Sequence, residues 1–180
     1  MCRSVLAGAI LAAAVTAMSA AGANAQQFEA KLVGFNETPS NFTPAQGTLK
    51  LNLNTILQSA TYTLTYSGLR GTVTQAHIHF AKARVAGGIF VWLCQTATNP
   101  APAAVAASTP TCPQSGTVTG TITPASIIAV APQGIPAGDF DVLTDALSSG
   151  SAYSNVHSTQ FPAGEIRGQI HPSEDQQGQQ

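Results

Sequence analysis

The feature that most constrains this chain is a two-residue rhythm of apolar and polar side chains, repeated in short runs that Gly and Pro interrupt. In residues 47–53, Leu49, Leu51 and Leu53 alternate with Thr48, Lys50 and Asn52; in residues 60–66 the apolar positions alternate with Thr61, Thr63 and Thr65. Successive side chains of an extended strand point to opposite faces, so each run buries one face and wets the other. Two such runs joined by a short turn predict an antiparallel hairpin. Strands are also expected over 28–34, around 76–80, and over 89–94, 116–123, 152–158 and 164–171. The run 89–94 is continuously apolar and is expected to be covered on both faces. Residues 139–147 predict a short helix capped by Asp139. Eight or nine short strands with one short helix give an all-β chain, an antiparallel Greek-key sandwich or barrel.

The start of the chain reads as an address rather than as structure. Arg3 gives a positive beginning, an Ala-rich apolar stretch follows, and Ala23-Asn24-Ala25 precedes Gln26 as a small-x-small cleavage site. This predicts a signal peptide over 1–25, a β-domain over 26–171, and a polar, disordered tail over 172–180. The expected location is secreted or periplasmic. No stretch after Ala25 has the ~18 apolar residues of a membrane helix, so no transmembrane span is expected. Beyond the leader, six Lys and Arg face eight Asp and Glu with no basic cluster, which excludes a nucleic-acid partner. Cys94 and Cys112 are the only cysteines after the leader and are expected to form a disulfide in an oxidising compartment. The Ala-, Thr- and Pro-rich segment 95–113 reads as an exposed loop pinned by them.

Chemistry concentrates in the histidines. In Ala76-His77-Ile78-His79-Phe80 the two imidazoles share one face of a strand, and His157 and His171 sit in later alternating runs. Imidazole suits copper and zinc, and three ligands leave a coordination position open. His77, His79, His157 and His171 are therefore the candidate metal ligands, although His171 ends its strand before Pro172. The plainer alternative is a hydrogen-bonded polar cluster. Alternation puts Tyr153, Asn155 and His157 opposite Val156, and Glu165, Arg167, Gln169 and His171 opposite Ile166 and Ile170. Arg167 is expected to be partly buried and paired with Glu37. Glu165 is read as structural, since a lone carboxylate is weak evidence for a general acid. With no nucleophile elbow, phosphate loop or paired-carboxylate pattern, no catalytic residue is assigned. Trp92 reads as core.

Three blocks carry a resemblance. Ala76-His77-Ile78-His79 with Gly87-Gly88, then residues 153–158, then Pro162-Ala163-Gly164-Glu165-Ile166-Arg167-Gly168-Gln169-Ile170, resemble in order the CHRD domain, named for its repeats in chordin and also found singly in exported bacterial proteins. The resemblance implies an immunoglobulin-like or superoxide-dismutase-like β-sandwich. It also implies a non-enzymatic exported binding module whose partner is an unidentified exported or cell-surface macromolecule, with copper or zinc as its candidate cofactor. By the more distant likeness to copper–zinc superoxide dismutases, His77 and His79 match a pair of copper ligands on one strand and His157 a later one. The chain departs from that class in having no His-rich zinc loop with an added aspartate. A copper-dependent redox enzyme is therefore the alternative reading. The oligomeric state is left open.

Overall fold

The computed structural model describes residues 25–174. The expected leader up to Asn24, and the expected disorder of 175–180, lie outside the described residues. The strands are β1 (Ala25–Val33), β2 (Gln46–Asn54), β3 (Ser59–Ser67), β4 (Val73–Phe80), β5 (Gly88–Cys94), β6 (Gly116–Ile122), β7 (Ala152–Ser158), β8 (Ile166–Gln169) and β9 (His171–Pro172). They form one antiparallel sheet in the order β5-β4-β7-β8-β1-β2-β3-β6, with β9 also on β1. The sheet curls until its ends approach. Tyr62 of β3 donates its hydroxyl to the Leu93 carbonyl of β5 at 2.6 Å, so a nearly closed barrel results.

The expected hairpin is β2 and β3, paired residue for residue from Gln46↔Ser67 to Asn54↔Ser59. Leu49, Leu51, Leu53, Leu64 and Tyr66 face a core shared with Ile78, Phe90, Val156 and Ile166. The expected helix is α2 (Phe140–Ser148); Asp139 accepts from the Asp141 backbone N–H, and Phe140, Leu143, Ala146 and Leu147 turn inward. Asp139 satisfies one of the donors that a helix start leaves open.

Three expectations need correction. The apolar run 89–94 is not a strand covered on both faces: β5 ends the sheet order, and Ile89 and Trp92 are half-buried. Its register against β4 slips between Ala76 and His77 and between Ile78 and His79. Each slip lets adjacent residues turn inward, so Phe90 with Val91 and Leu93 with Cys94 are buried together. The segment 95–113 is more than an exposed loop. It contains the single turn α1 (Ala103–Ala106), and the Gln95 amide donates to the Ala106 and Thr109 carbonyls, both at 2.7 Å. Cys94 and Cys112 are disulfide-bonded at its ends. Finally, the tail does not begin at Pro172, because β9 pairs with β1 and the Ser173 N–H donates to the Gln27 carbonyl at 2.9 Å. Among the described residues no helix is long and apolar enough to cross a membrane.

The sheet has two kinds of outer face. Along β2 and β3 the outward residues meet solvent, whereas every residue of β7 is buried. Chain around residues 34–41, 81–87 and 160–165 folds back over β4, β7 and β8. Asn41 binds the Gly164 carbonyl at 2.7 Å, and Gln169 binds the Ala81 carbonyl at 3.0 Å. A polar face roofed in this way must satisfy its groups internally.

Candidate functional site

Under that roof lie His77 and His79 of β4 and His157 of β7. One nitrogen from each ring lies within 4.8 Å of the corresponding atoms of the other two, and all three residues are buried. Period-2 geometry on β4 supplies the first pair. Antiparallel pairing of Gln75 with His157 and of His77 with Asn155 brings the third alongside.

Backbone carbonyls set the protonation of two rings. His79 Nδ1 lies 2.9 Å from the Gly87 carbonyl, and His157 Nδ1 lies 2.9 Å from the Pro162 carbonyl. A carbonyl only accepts, so each Nδ1 carries the hydrogen and each Nε2 of the neutral ring presents a lone pair. Both Nε2 atoms point at the Asn155 carboxamide oxygen, at 3.0 Å each, and the His157 Nε2 also lies 3.3 Å from His77 Nδ1. The Asn155 amide group in turn donates to Glu37 Oε1 at 3.4 Å. Acceptors thus converge on one small volume.

Protonation does not relieve the convergence near neutrality. Burial holds the His77 ring well below its ordinary value of 6.5, helped by His157 and His79. Burial likewise takes His79 down to about 4 and lowers His157. The Glu37 carboxyl moves the other way, up to about 7, because its charged form is desolvated.

Aromatic rings box the cluster. His79 stacks on Tyr153 with centroids 4.6 Å apart and planes 4° from parallel, and Trp92 meets the His77 ring edge-on at 4.3 Å. The guanidinium carbon of Arg167 sits 3.3 Å from the centre of the Tyr153 ring. Gly87 and Gly164 allow the covering turns to approach closely around the cluster. A Cβ on Gly87 would strike the Phe80 carbonyl, and one on Gly164 would strike the Glu37 carboxyl and the Asn155 amide.

The remaining sequence candidates fall as follows. His171 is outside the cluster: β9 pairs with β1 at Phe28 and Glu29, and the exposed His171 ring lies 3.1 Å from the Pro172 carbonyl. Arg167 is buried as expected but does not take Glu37 as a hydrogen-bond partner. Its Nη2 donates to the Lys82 and Val85 carbonyls at 3.1 and 3.0 Å, because the folded-back turn reaches it first. Glu165 is fully buried and accepts from Ser158 Oγ, Thr43 Oγ1 and the Arg70 N–H, tying three loops together. Sequence reasoning placed Asn155 and Tyr153 on the right face without giving them a role. It gave no sign of the Gly87 and Pro162 carbonyls, since any residue supplies a carbonyl.

The sequence model of the CHRD domain matches residues 28–170. The chain belongs to the CHRD domain family. Comparison of this CHRD domain with curated proteins and with solved structures returned no match. The match spans the strands from β1 to β8 and therefore includes the histidine cluster and its roof.

Proposed function

We propose that this CHRD domain is an exported, non-enzymatic binding module in which His77, His79 and His157 hold a single copper or zinc ion. The observation that carries the reading is the convergence of two carbonyl-fixed Nε2 lone pairs and the Asn155 carboxamide oxygen beside His77. Acceptors crowd together at low cost only around a proton or a cation, and burial disfavours the proton. His77 would bind through Nδ1, and His79 and His157 through Nε2. The hydrogen bonds from their Nδ1 atoms to carbonyls are the outer support that orients metal-binding imidazoles. Copper or zinc suits an all-imidazole set. The Cys94–Cys112 disulfide supports an oxidising, exported location.

Two other readings have support. A copper-dependent redox enzyme of superoxide-dismutase-like type would use the position that three ligands leave open, but the burial of all three rings under the roof favours a module without a substrate. A metal-free polar cluster is favoured by the raised Glu37 carboxyl. Protonated, it can donate to a turned-over Asn155 amide, whose two hydrogens then reach both Nε2 atoms.

Metal analysis of the chain purified without an affinity tag tests the reading. One equivalent of copper or zinc is expected, lost when His77 and His79 are both changed to Ala. Metal absent from wild type after incubation with either ion leaves the polar cluster. Dismutase activity that appears only with added copper selects the enzyme.

A further inference from the structure

We propose that the cavity above Arg167 binds a small organic carboxylate attached to an apolar body. The proposal does not rest on a metal at the histidines. The cavity has a volume of about 490 Å³, within the range of small-molecule sites, and lies between the loop bearing Phe35 to Ser40 and the turn bearing Arg84.

Arg167 lines it although only 2 % exposed. Its hydrogen-bond partners are neutral: two carbonyls take Nη2, and Nη1 reaches only Thr38 Oγ1, at 3.5 Å. That last distance is beyond a good N–H···O bond, so the fork of the guanidinium keeps donor capacity. A buried charge ordinarily has a counter-charge, and this one has none within hydrogen-bonding reach among the described residues. Glu37 is near, but burial raises its carboxyl to about 7, so it neutralises Arg167 only in part near neutrality.

A second arginine, Arg84, lines the same cavity. Arg84 holds a backbone φ of +65, a left-handed region that side-chain-bearing residues seldom adopt. The turn is kept in place by Arg167 itself, through the Lys82 and Val85 carbonyls on either side of Arg84. The buried cation therefore positions the outer one. Two arginines lining one cavity attract an anion, and a carboxylate matches the forked donors of a guanidinium.

The remaining lining chooses among anions. Phe35, 68 % exposed, and Pro39 supply apolar wall, suited to a hydrocarbon or aromatic body. The Glu37 carboxyl in the same lining disfavours a dianion such as phosphate relative to a monoanion.

Benzoate is the probe, titrated calorimetrically into the full chain at about pH 6, where Glu37 is largely protonated. Saturable binding is expected, with neutral benzyl alcohol at least about tenfold weaker and Arg84→Gln weakening benzoate about tenfold. Arg84 is exposed, so its replacement leaves the fold intact. Unchanged benzoate affinity after chelator treatment separates this site from the histidine cluster. No saturable binding, equal binding of benzyl alcohol, equal binding by the Arg84→Gln variant, or binding lost on chelation would each overturn the proposal.

Discussion

Arg167 joins three things through one side chain: it ties down the Lys82 and Val85 carbonyls, covers the Tyr153 ring, and places its charge beside Glu37. Replacing it by Ala strips donors from two carbonyls and uncovers the ring that stacks on His79. Arg167→Ala is therefore expected to cost about 3 kcal/mol in urea unfolding, the scale of a buried polar group losing its partner. A loss below ~1 kcal/mol would mean that the turn at Lys82 to Val85 does not depend on it. The burial of Arg167 was legible in the sequence, since it lies on the polar face of a strand with apolar neighbours on either side. Its partners were not, because they are main-chain carbonyls more than eighty residues away. His77 and His79 were legible as a pair for the opposite reason: strand period alone determines their shared face.

At the scale of elements, the site depends on the loops that cover β4, β7 and β8. Gly164, with φ +127, lies where Glu37 and Asn155 meet, and a methyl group there would force both away. Gly164→Ala is expected to destabilise the fold by about 2 kcal/mol or more, from backbone strain plus the displaced side chains. Metal content, if the histidines hold an ion, should fall with it, because Asn155 loses its anchor. A variant with wild-type unfolding midpoint would show that the loop yields without cost. The strands themselves were readable from alternation, and β2 and β3 appear with the faces expected of them. β5 misled because its apolar run suggested double coverage, whereas bulges against β4 let neighbouring residues share one core. The roof was hidden since its segments are tied by contacts over sequence distances that no local pattern encodes, such as Asn41 to Gly164.

For the whole molecule, opposed titrations shape stability. The His79 ring, lowered from 6.5 to about 4, leaves the unfolded state binding more protons between those values, so stability is lost as pH falls through the window. Such a displacement corresponds to about 3 kcal/mol. Glu37, raised from 4.5 to about 7, has the reverse sign: its contribution is complete below 4.5 and is lost as pH rises through 7. These two nearly offset each other. His77 and His157, both lowered, tip the sum toward acid sensitivity. Urea midpoints of chelator-treated protein should therefore drop from about pH 6.5 toward pH 5, and a flat profile would show that the buried rings do not stay neutral. His77→Gln should shrink the drop.

The pairing of β9 with β1 has a consequence for how the domain can be carried. Pro172 lies opposite Phe28, while the same strand β1 runs on to Val33, which lies opposite Arg167. Chain attached before β1 and after β9 would leave from one pole, and the cavity above Arg167 opens roughly 17 Å further along the strand. Anything joined at that pole would leave the Arg167 end of β1 turned away from the attachment.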